Sequence, residues 1–189
     1  MINNKKFILA SKSPRRREIL KKMNLNFIVK NINVNENNNI IDPIKKTIYI
    51  SKLKSNSYDK QIYENTILIT ADTLVHEKVI LQKPKNKQES IEMLKYLSNK
   101  KHYVTTGVTL KTCKKQISFH ETTEVYFAKI NLKEIMFYIN NFKTKDKAGS
   151  YGIQDWIGLI GVKKIHGCFY NIMGFPANKF YQNIKFFKD

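Results

Sequence analysis

The stretch KFILASKSPRRREILKKM, residues 6–23, contains the pattern that decides the fold. Its first five residues are mostly apolar and predict a short buried strand. The second half predicts a helix, because Ser13 is a suitable N-cap and Pro14 fits the first helical position. A buried strand followed directly by a helix is typical of an α/β protein.

The rest of the chain mixes strands and helices without a strict βαβ rhythm. We predict strands at residues 27–34 and 65–72, a hairpin at 75–84, two β-rich runs at 102–112 and 116–130, and a strand at 158–165. We predict helices at residues 43–57, 87–99, 131–142 and 174–187. The asparagine-rich residues 34–42 predict a flexible loop. This order favours an α/β fold with a mixed β-sheet and flanking helices.

The composition bounds the size and the partners of the protein. A chain of 189 residues, 42% hydrophobic, fits one domain over residues 1–189. The formal net charge of +19 has two interpretations: a nucleic-acid-binding surface, or a general lysine bias on solvated faces. The lysines are scattered from Lys5 to Lys188 in blocks no longer than two, which favours the second. A basic surface would still attract anionic substrates.

The compartment is predicted from what the sequence lacks. Cys113 and Cys168 show no spacing typical of a zinc site, so we expect two reduced thiols. No apolar run is long enough to span a membrane, and the N-terminal apolar stretch is too short for a signal peptide. We therefore expect a soluble, cytoplasmic protein without a membrane partner.

Arginine occurs in one place only, at Arg15, Arg16 and Arg17, while the other 31 of the 34 basic residues are lysines. These arginines fall in the first turn of the predicted helix, where unpaired N–H groups and cations together favour an anion. Arginine grips phosphate oxygens with two parallel hydrogen bonds, which lysine cannot do. The triplet predicts a phosphate site, with three solvated arginines as the alternative.

Two further positions suit the same chemistry. Asp72 is predicted at the end of a strand, where open α/β sheets place ligands, and its carboxylate could hold Mg²⁺ or act as a general base. The alternative is an aspartate that caps a tight turn. Lys83, held before Pro84, could serve as a point charge for phosphate.

Six of the seven glycines lie between Gly149 and Gly174, in a segment that also holds Gln154. Glycines allow a backbone to approach a ligand closely, and an amide can read the edge of a base. A set of turns between short strands is the alternative. The segment matches neither a Walker loop nor a Rossmann fingerprint.

Five segments in this order, LASKSPRRREIL, ADTLV, QKP, TTGV and KAGSYGIQ…GCFYNIMGFP, resemble the Maf family of nucleoside triphosphate pyrophosphatases. The resemblance implies a twisted mixed sheet with two lobes around a cleft. It also implies hydrolysis of a nucleoside triphosphate to the monophosphate and pyrophosphate with a divalent metal, Mg or Mn. Removal of unwanted nucleotides and control of division are both open as cellular roles.

The resemblance also implies roles for individual residues. The family's site residues fall on Asp72 as proton acceptor, on Ser11, Ser13, Arg15 and Arg16 as the phosphate-binding loop, on the motif glutamate Glu36, and on Lys52 and Lys83. Glu36 and Asp72 would hold the metal. Arg15, Thr73 and Gln154 match the branch that acts on dTTP and UTP, and they differ from the pattern of the 7-methyl-GTP branch.

Three positions depart from the family's pattern. Asn35 replaces an acidic residue, and Thr70 and Gln82 replace glycines. The resemblance suggests a homodimer and no specific nucleic-acid partner. The rival hypothesis is a basic module that binds nucleic acid or nucleotides without turnover.

Overall fold

The computed structural model describes residues 5–187 and contains, within that range, seven strands and seven α-helices. The strands are β1 (Lys6–Ala10), β2 (Phe27–Lys30), β3 (Thr66–His76), β4 (Ile80–Leu81), β5 (Lys101–Lys111), β6 (Gln116–Phe127) and β7 (Val162–His166). The helices are α1 (Pro14–Lys22), α2 (Pro43–Asn56), α3 (Lys87–Leu97), α4 (Leu132–Asn141), α5 (Trp156–Gly161), α6 (Phe169–Ile172) and α7 (Ala177–Phe186).

The strands form a sheet in the order β2-β1-β3-β5-β6-β7, with β4 beside β3. β1 is parallel to both β2 and β3, whereas β4 is antiparallel to β3 and β7 is antiparallel to β6. The sheet is therefore mixed, and the predicted α/β class is confirmed. No helix among residues 5–187 is both long enough and apolar enough to cross a bilayer.

The chain divides into two compact units. The first comprises the residues up to Asp72, Thr106–Glu121 and the segment from Gly174 onward; the second comprises Thr73–Thr105 and Thr122–Met173. Each boundary within the first 130 residues falls inside a strand, so β3, β5 and β6 contribute residues to both units. One domain over residues 1–189 stays a prediction.

The core of the first unit lies around β1, β3 and α7. Leu9 and Leu68 are fully buried, and the ring of Phe180 contacts those of Phe7 and Phe175 at centroid distances of 6.4 and 5.0 Å. Each such side chain contributes about 1.5–3 kcal/mol when it leaves water. This packing fixes β1, which directly precedes Ser11, and β3, which carries Asp72 within its length.

Helix α2 is fastened to the sheet by hydroxyl groups as well as by apolar contacts. Its N-cap is Asp42, whose carboxylate accepts a hydrogen bond from the Lys45 N–H at 2.7 Å. Thr70 of β3 donates its hydroxyl to the Ser51 carbonyl at 2.7 Å, and the Ser51 hydroxyl lies 2.8 Å from that of Thr109. Thr70, which departs from the family's glycine, thus holds the helix instead of distorting a turn.

Gly107 allows the backbones of β5 and α2 to touch. A Cβ atom at this position would lie 2.5 Å from both the carbonyl carbon and the carbonyl oxygen of Thr47. Real Cβ atoms are not found that close to backbone atoms, so only glycine fits without movement of the helix.

The core of the second unit includes Leu94 and Leu97 of α3, Tyr138 of α4 and Ile157 of α5, all fully buried. His102 of β5 is also fully buried, and its Nε2 lies 2.7 Å from the Tyr151 hydroxyl. Burial, together with nearby His76, lowers the pKa of His102 from 6.5 to about 3. The imidazole is therefore neutral at physiological pH.

Three of the predicted element bounds were wrong. β3 continues past Asp72 to His76 because Val75 and His76 pair with Leu81 and Ile80 of the hairpin strand. Residues 158–161 belong to helix α5 and only the following residues form a strand, because a short apolar run fits either element. The predicted strand at 27–34 ends at Lys30, where the asparagine-rich loop begins.

Candidate active site

The loop between β1 and α1 is arranged as its sequence predicts. Ser13 caps α1 and its hydroxyl accepts a hydrogen bond from the Arg16 N–H at 3.4 Å. The Ser11 hydroxyl accepts from the Ser13 N–H at 3.2 Å. The predicted phosphate-binding residues thus share the short segment that joins β1 to the first turn of α1.

Arg16 lies at the centre of this region. Its Nη1 donates to the Ala71 carbonyl at 2.9 Å and to the Ser11 hydroxyl at 3.2 Å, and its Nε donates to the Gly174 carbonyl at 2.8 Å. One guanidinium therefore joins three separate segments of the first unit. Ala71 directly precedes Asp72, so Arg16 fixes the backbone on which that carboxylate stands.

The charge of Arg16 is sensitive to its surroundings. Burial lowers the pKa of Arg16 from 12.5 to about 10, an effect that Asp72 opposes and that nearby Arg15 increases. The group remains a cation at neutral pH. An additional anion at this loop, such as a phosphate, would offset the mutual repulsion of Arg15 and Arg16.

Asp72 and Glu36 are linked by one lysine. The ammonium of Lys54, on α2, lies 2.9 Å from Asp72 Oδ1 and 2.9 Å from Glu36 Oε1. The side chains of Lys54 and Asp72 are 14% and 12% exposed, whereas that of Glu36 is 50% exposed. The structure thus brings together two predicted site residues, and the carboxylates lie within reach of a single cation.

The pair of carboxylates fits a substrate-bridged metal. Mg²⁺ is usually held by one or two carboxylates together with substrate phosphates and waters. In the described part of the chain no group of three or more His, Cys, Asp or Glu side chains could enclose a metal. Glu36 and Asp72 therefore suit a divalent cation that arrives with a phosphorylated ligand.

The lysine that reaches Asp72 was not among the predicted residues. Lys52, the predicted one, lies on an exposed part of α2, two residues before Lys54. The buried positions Thr47, Ile50, Ser51 and Ser55 define the inner face of this helix. Lys54 follows Ile50 by four residues and Ser51 by three, so the helical period places it beside that face. This spacing was the signal that could have identified it.

The glutamate and its neighbours lie in a loop ordered by asparagines. The Asn35 side chain accepts from the Asn37 N–H at 3.0 Å, and the Asn38 side chain donates to the Glu36 carbonyl at 2.7 Å. Such side-chain contacts to the local backbone replace regular secondary structure. Asn35, at the position of the missing acidic residue, therefore shapes the loop that presents Glu36.

The second unit contains the other predicted residues. Thr73 is half-buried in β3, and Lys83 and Gln154 are exposed. Gln82, beside Lys83, accepts a hydrogen bond through its carbonyl from the Gly149 N–H at 3.2 Å. The Lys83 segment is thus attached to the start of the glycine-rich segment that leads to Gln154.

The fold and these charged groups define a class: an α/β protein whose site suits a phosphorylated ligand and a divalent cation. The sequence profile of the family described as Maf-like protein matches residues 6–187. The chain therefore belongs to the Maf-like protein family, as the sequence motifs predicted.

Curated relatives match over nearly the whole chain. A protein of Parabacteroides distasonis named dTTP/UTP pyrophosphatase is 42% identical over 185 residues, 96% of each chain. Proteins of the same name from Flavobacterium psychrophilum and Bacteroides fragilis are 42% and 41% identical and cover 94% and 95% of this chain and 92% and 95% of their own. Among solved structures, a HAM1 protein from Coxiella burnetii aligns with a TM-score of 0.43 at 12% identity, over 67% of this chain and 74% of that chain.

Proposed function

We propose that this protein is a nucleoside triphosphate pyrophosphatase that hydrolyses dTTP and UTP to the monophosphate and pyrophosphate. The observation that carries the proposal is the Lys54 ammonium between Asp72 and Glu36, next to the arginine-rich start of α1. Membership of the Maf-like family and the names of the relatives support the same reaction.

In the proposed reaction a water oxygen attacks the α-phosphorus of the triphosphate. The bond from that phosphorus to the oxygen that bridges the α- and β-phosphates breaks, and pyrophosphate leaves. Asp72 accepts the proton of the water as general base. The hydrogen bond from Lys54 holds the Asp72 carboxylate in one direction, and Arg16 holds its backbone through Ala71.

In the proposed complex, cationic and hydroxyl groups bind the triphosphate. In this proposal its oxygens are bound by Ser11, Ser13, Arg15, Arg16, Lys83 and Lys52, with Lys54 at the carboxylates. Such donors stabilise the charge that develops on the departing pyrophosphate.

Glu36 and Asp72 would hold a divalent cation, Mg²⁺ or Mn²⁺. When bound, that cation neutralises phosphate oxygens and polarises the phosphoryl group. Thr73 and Gln154, together with Arg15, are proposed to read the pyrimidine base. We further propose that the enzyme acts in the cytoplasm, as a homodimer, without a specific nucleic-acid partner.

The test is pyrophosphate release from dTTP, UTP, CTP, ATP, GTP and 7-methyl-GTP, each with Mg²⁺ or Mn²⁺. We expect release from dTTP and UTP and little from the others. Folded protein that releases pyrophosphate from none of them contradicts the proposal. Retained nucleotide or oligonucleotide binding in that case would favour the rival binding module, which the charge of +19 suggests.

A variant of the proposed base tests the mechanism separately. Asp72→Asn keeps the shape of the side chain and removes its basicity, so kcat for dTTP should fall about 10²–10⁴-fold while KM changes little. Asp59→Asn, at an exposed position of the same unit, is the matched control. Turnover by Asp72→Asn at the rate of the control would remove Asp72 from the role of proton acceptor.

A further inference from the structure

The turn that carries Gln154 is hydrogen-bonded to a buried tyrosine. Tyr138, on α4, is fully buried; its hydroxyl donates to Asp155 Oδ2 at 2.7 Å and accepts from the Gly152 N–H at 3.1 Å. Gly152 and Asp155 stand on either side of Gln154, and the Asp155 N–H donates to the Gly152 carbonyl at 3.0 Å. One hydroxyl group therefore joins both ends of the turn.

Neighbouring contacts hold the same turn from other sides. Lys147, whose side chain is 8% exposed, has its ammonium 3.3 Å from Asp155 Oδ2. Tyr151, the residue before Gly152, is hydrogen-bonded to neutral His102 at 2.7 Å. The residues around Gln154 are thus fixed to α4 and β5, whereas Gln154 itself is exposed.

The amide of Gln154 lies close to this fixed backbone. A Cβ atom added to Gly152 would be 2.9 Å from Gln154 Nε2 and 2.6 Å from Asp155 Oδ2. Both polar groups therefore lie over the bare Cα of Gly152. The direction of the amide depends on where Gly152 and Asp155 are held, and the Tyr138 hydroxyl holds both.

We propose that Tyr138 is a positioning residue for base recognition: its hydroxyl sets the orientation of the Gln154 amide through Gly152 and Asp155. The inference rests on the proposed function, in which Gln154 reads the pyrimidine. Burial, with the hydrogen bond to Asp155, raises the pKa of Tyr138 well above its usual range, so the hydroxyl keeps its proton and remains a donor. A turn fixed before binding loses less freedom when the base docks.

The direct test is Tyr138→Phe, which removes one oxygen and keeps the ring that stacks on Phe142 at 5.1 Å. We expect KM for dTTP to rise roughly 3- to 10-fold with kcat within about twofold, and the preference for dTTP over CTP to fall by the same factor, as for one hydrogen bond. Tyr126→Phe is the matched control, because its hydroxyl contacts the Glu124 carboxylate at 2.5 Å in the same unit but does not contact this turn.

A double-mutant cycle separates positioning from general stability. If Tyr138 acts through Gln154, Tyr138→Phe should alter base preference in the wild-type background and leave it unchanged in Gln154→Ala. A merely structural role would lower the melting temperature of both backgrounds without changing the ratio of kcat/KM for dTTP and CTP. That result, or equal base preference in Tyr138→Phe and wild type, overturns the proposal.

Further variants test the positioning role independently of Tyr138→Phe and distinguish its failure from failure of the proposed function. Gly152→Ala pushes the flexible ends of Gln154 and Asp155 aside and should reduce base preference in the same direction, even where Tyr138→Phe folds poorly; an unchanged preference contradicts the proposal. Two other results would contradict the proposed function itself. One is wild-type protein that does not release pyrophosphate from dTTP; the other is a Gln154→Ala variant whose preference for dTTP over CTP equals that of the wild type.

Discussion

The Asp72 region and the Gln154 turn are held in place by opposite means. Asp72 and Glu36 each form an ion pair with Lys54, and Glu36 is half-exposed to water. The Gln154 turn is held mainly from inside the protein, by the Tyr138 hydroxyl. Charged contacts near water can be exchanged for a phosphate or a cation, whereas a buried hydrogen bond has no such substitute. If the proposed function holds, we expect the charged groups around Asp72 to rearrange when substrate binds and the Gln154 turn to stay fixed.

Among residues that support the two regions, the largest effect is expected from removing the charge that pairs with Asp72 and Glu36. Lys54→Met removes the cation between two carboxylates, so kcat/KM for dTTP should fall about 10- to 100-fold, the equivalent of one charge-assisted hydrogen bond. Lys45→Met, at an exposed position of the same helix, is the matched control and should change kcat/KM less than about threefold. Equal losses in the two variants would mean that charge alone, and not the contact to Asp72, is what matters.

Substitution of two adjacent arginines, Arg15 and Arg16, should have different effects on stability and on kinetics. Arg16→Lys loses the planar fork that serves Ala71, Gly174 and Ser11, so the free energy of unfolding should drop by about 1–3 kcal/mol and kcat/KM about tenfold. Arg15→Lys should raise KM for dTTP, because in the proposal its guanidinium contacts the phosphates. Urea unfolding and steady-state kinetics on both variants measure this; a stable Arg16→Lys variant with normal kcat would contradict the structural role of Arg16.

The last prediction concerns stability only, and depends on the neutral His102 that contacts Tyr151 beside the Gln154 turn. The unfolded chain binds a proton at His102 below about pH 6.5, but the folded protein does so only near pH 3. Stability should therefore fall as the pH decreases through this window, by roughly 2 kcal/mol at about pH 5. Urea unfolding at pH 7 and pH 5 should show this loss in the wild type and not in His102→Gln. His166→Gln, at an exposed position, should keep the wild-type pH dependence of stability. If the His166→Gln variant instead shows no loss of stability between pH 7 and pH 5, His102 is not the source of that loss.

The parts of the fold that sequence predicted are those with local signals. Ser13 and Pro14 begin α1 as expected, because capping depends on neighbouring residues only. The end of β3 was misplaced because strand length depends on a partner: the hairpin strand pairs with Val75 and His76 beyond Asp72. Local pattern alone does not contain that information.

The candidate site shows the same division. The motifs predict site roles for Asp72, Glu36 and the arginine loop, and the structure places both carboxylates against Lys54. Lys54 itself could have been found from the period of the buried positions on α2. The support of Gln154 could not, because Tyr138 and Asp155 are 17 residues apart and meet only through the packing of α4 against α5. No spacing rule connects a buried tyrosine to a turn that far along the chain.

Gly107 affects the candidate site through its contact with α2. Its hydrogen in place of a side chain lets the backbone of β5 touch that of α2 at Thr47, two turns before Lys54 on the same helix. A methyl group there would lift the helix from the sheet and carry the ammonium away from Asp72 of β3. The position of Lys54 relative to β3 thus depends on the absence of a side chain at Gly107.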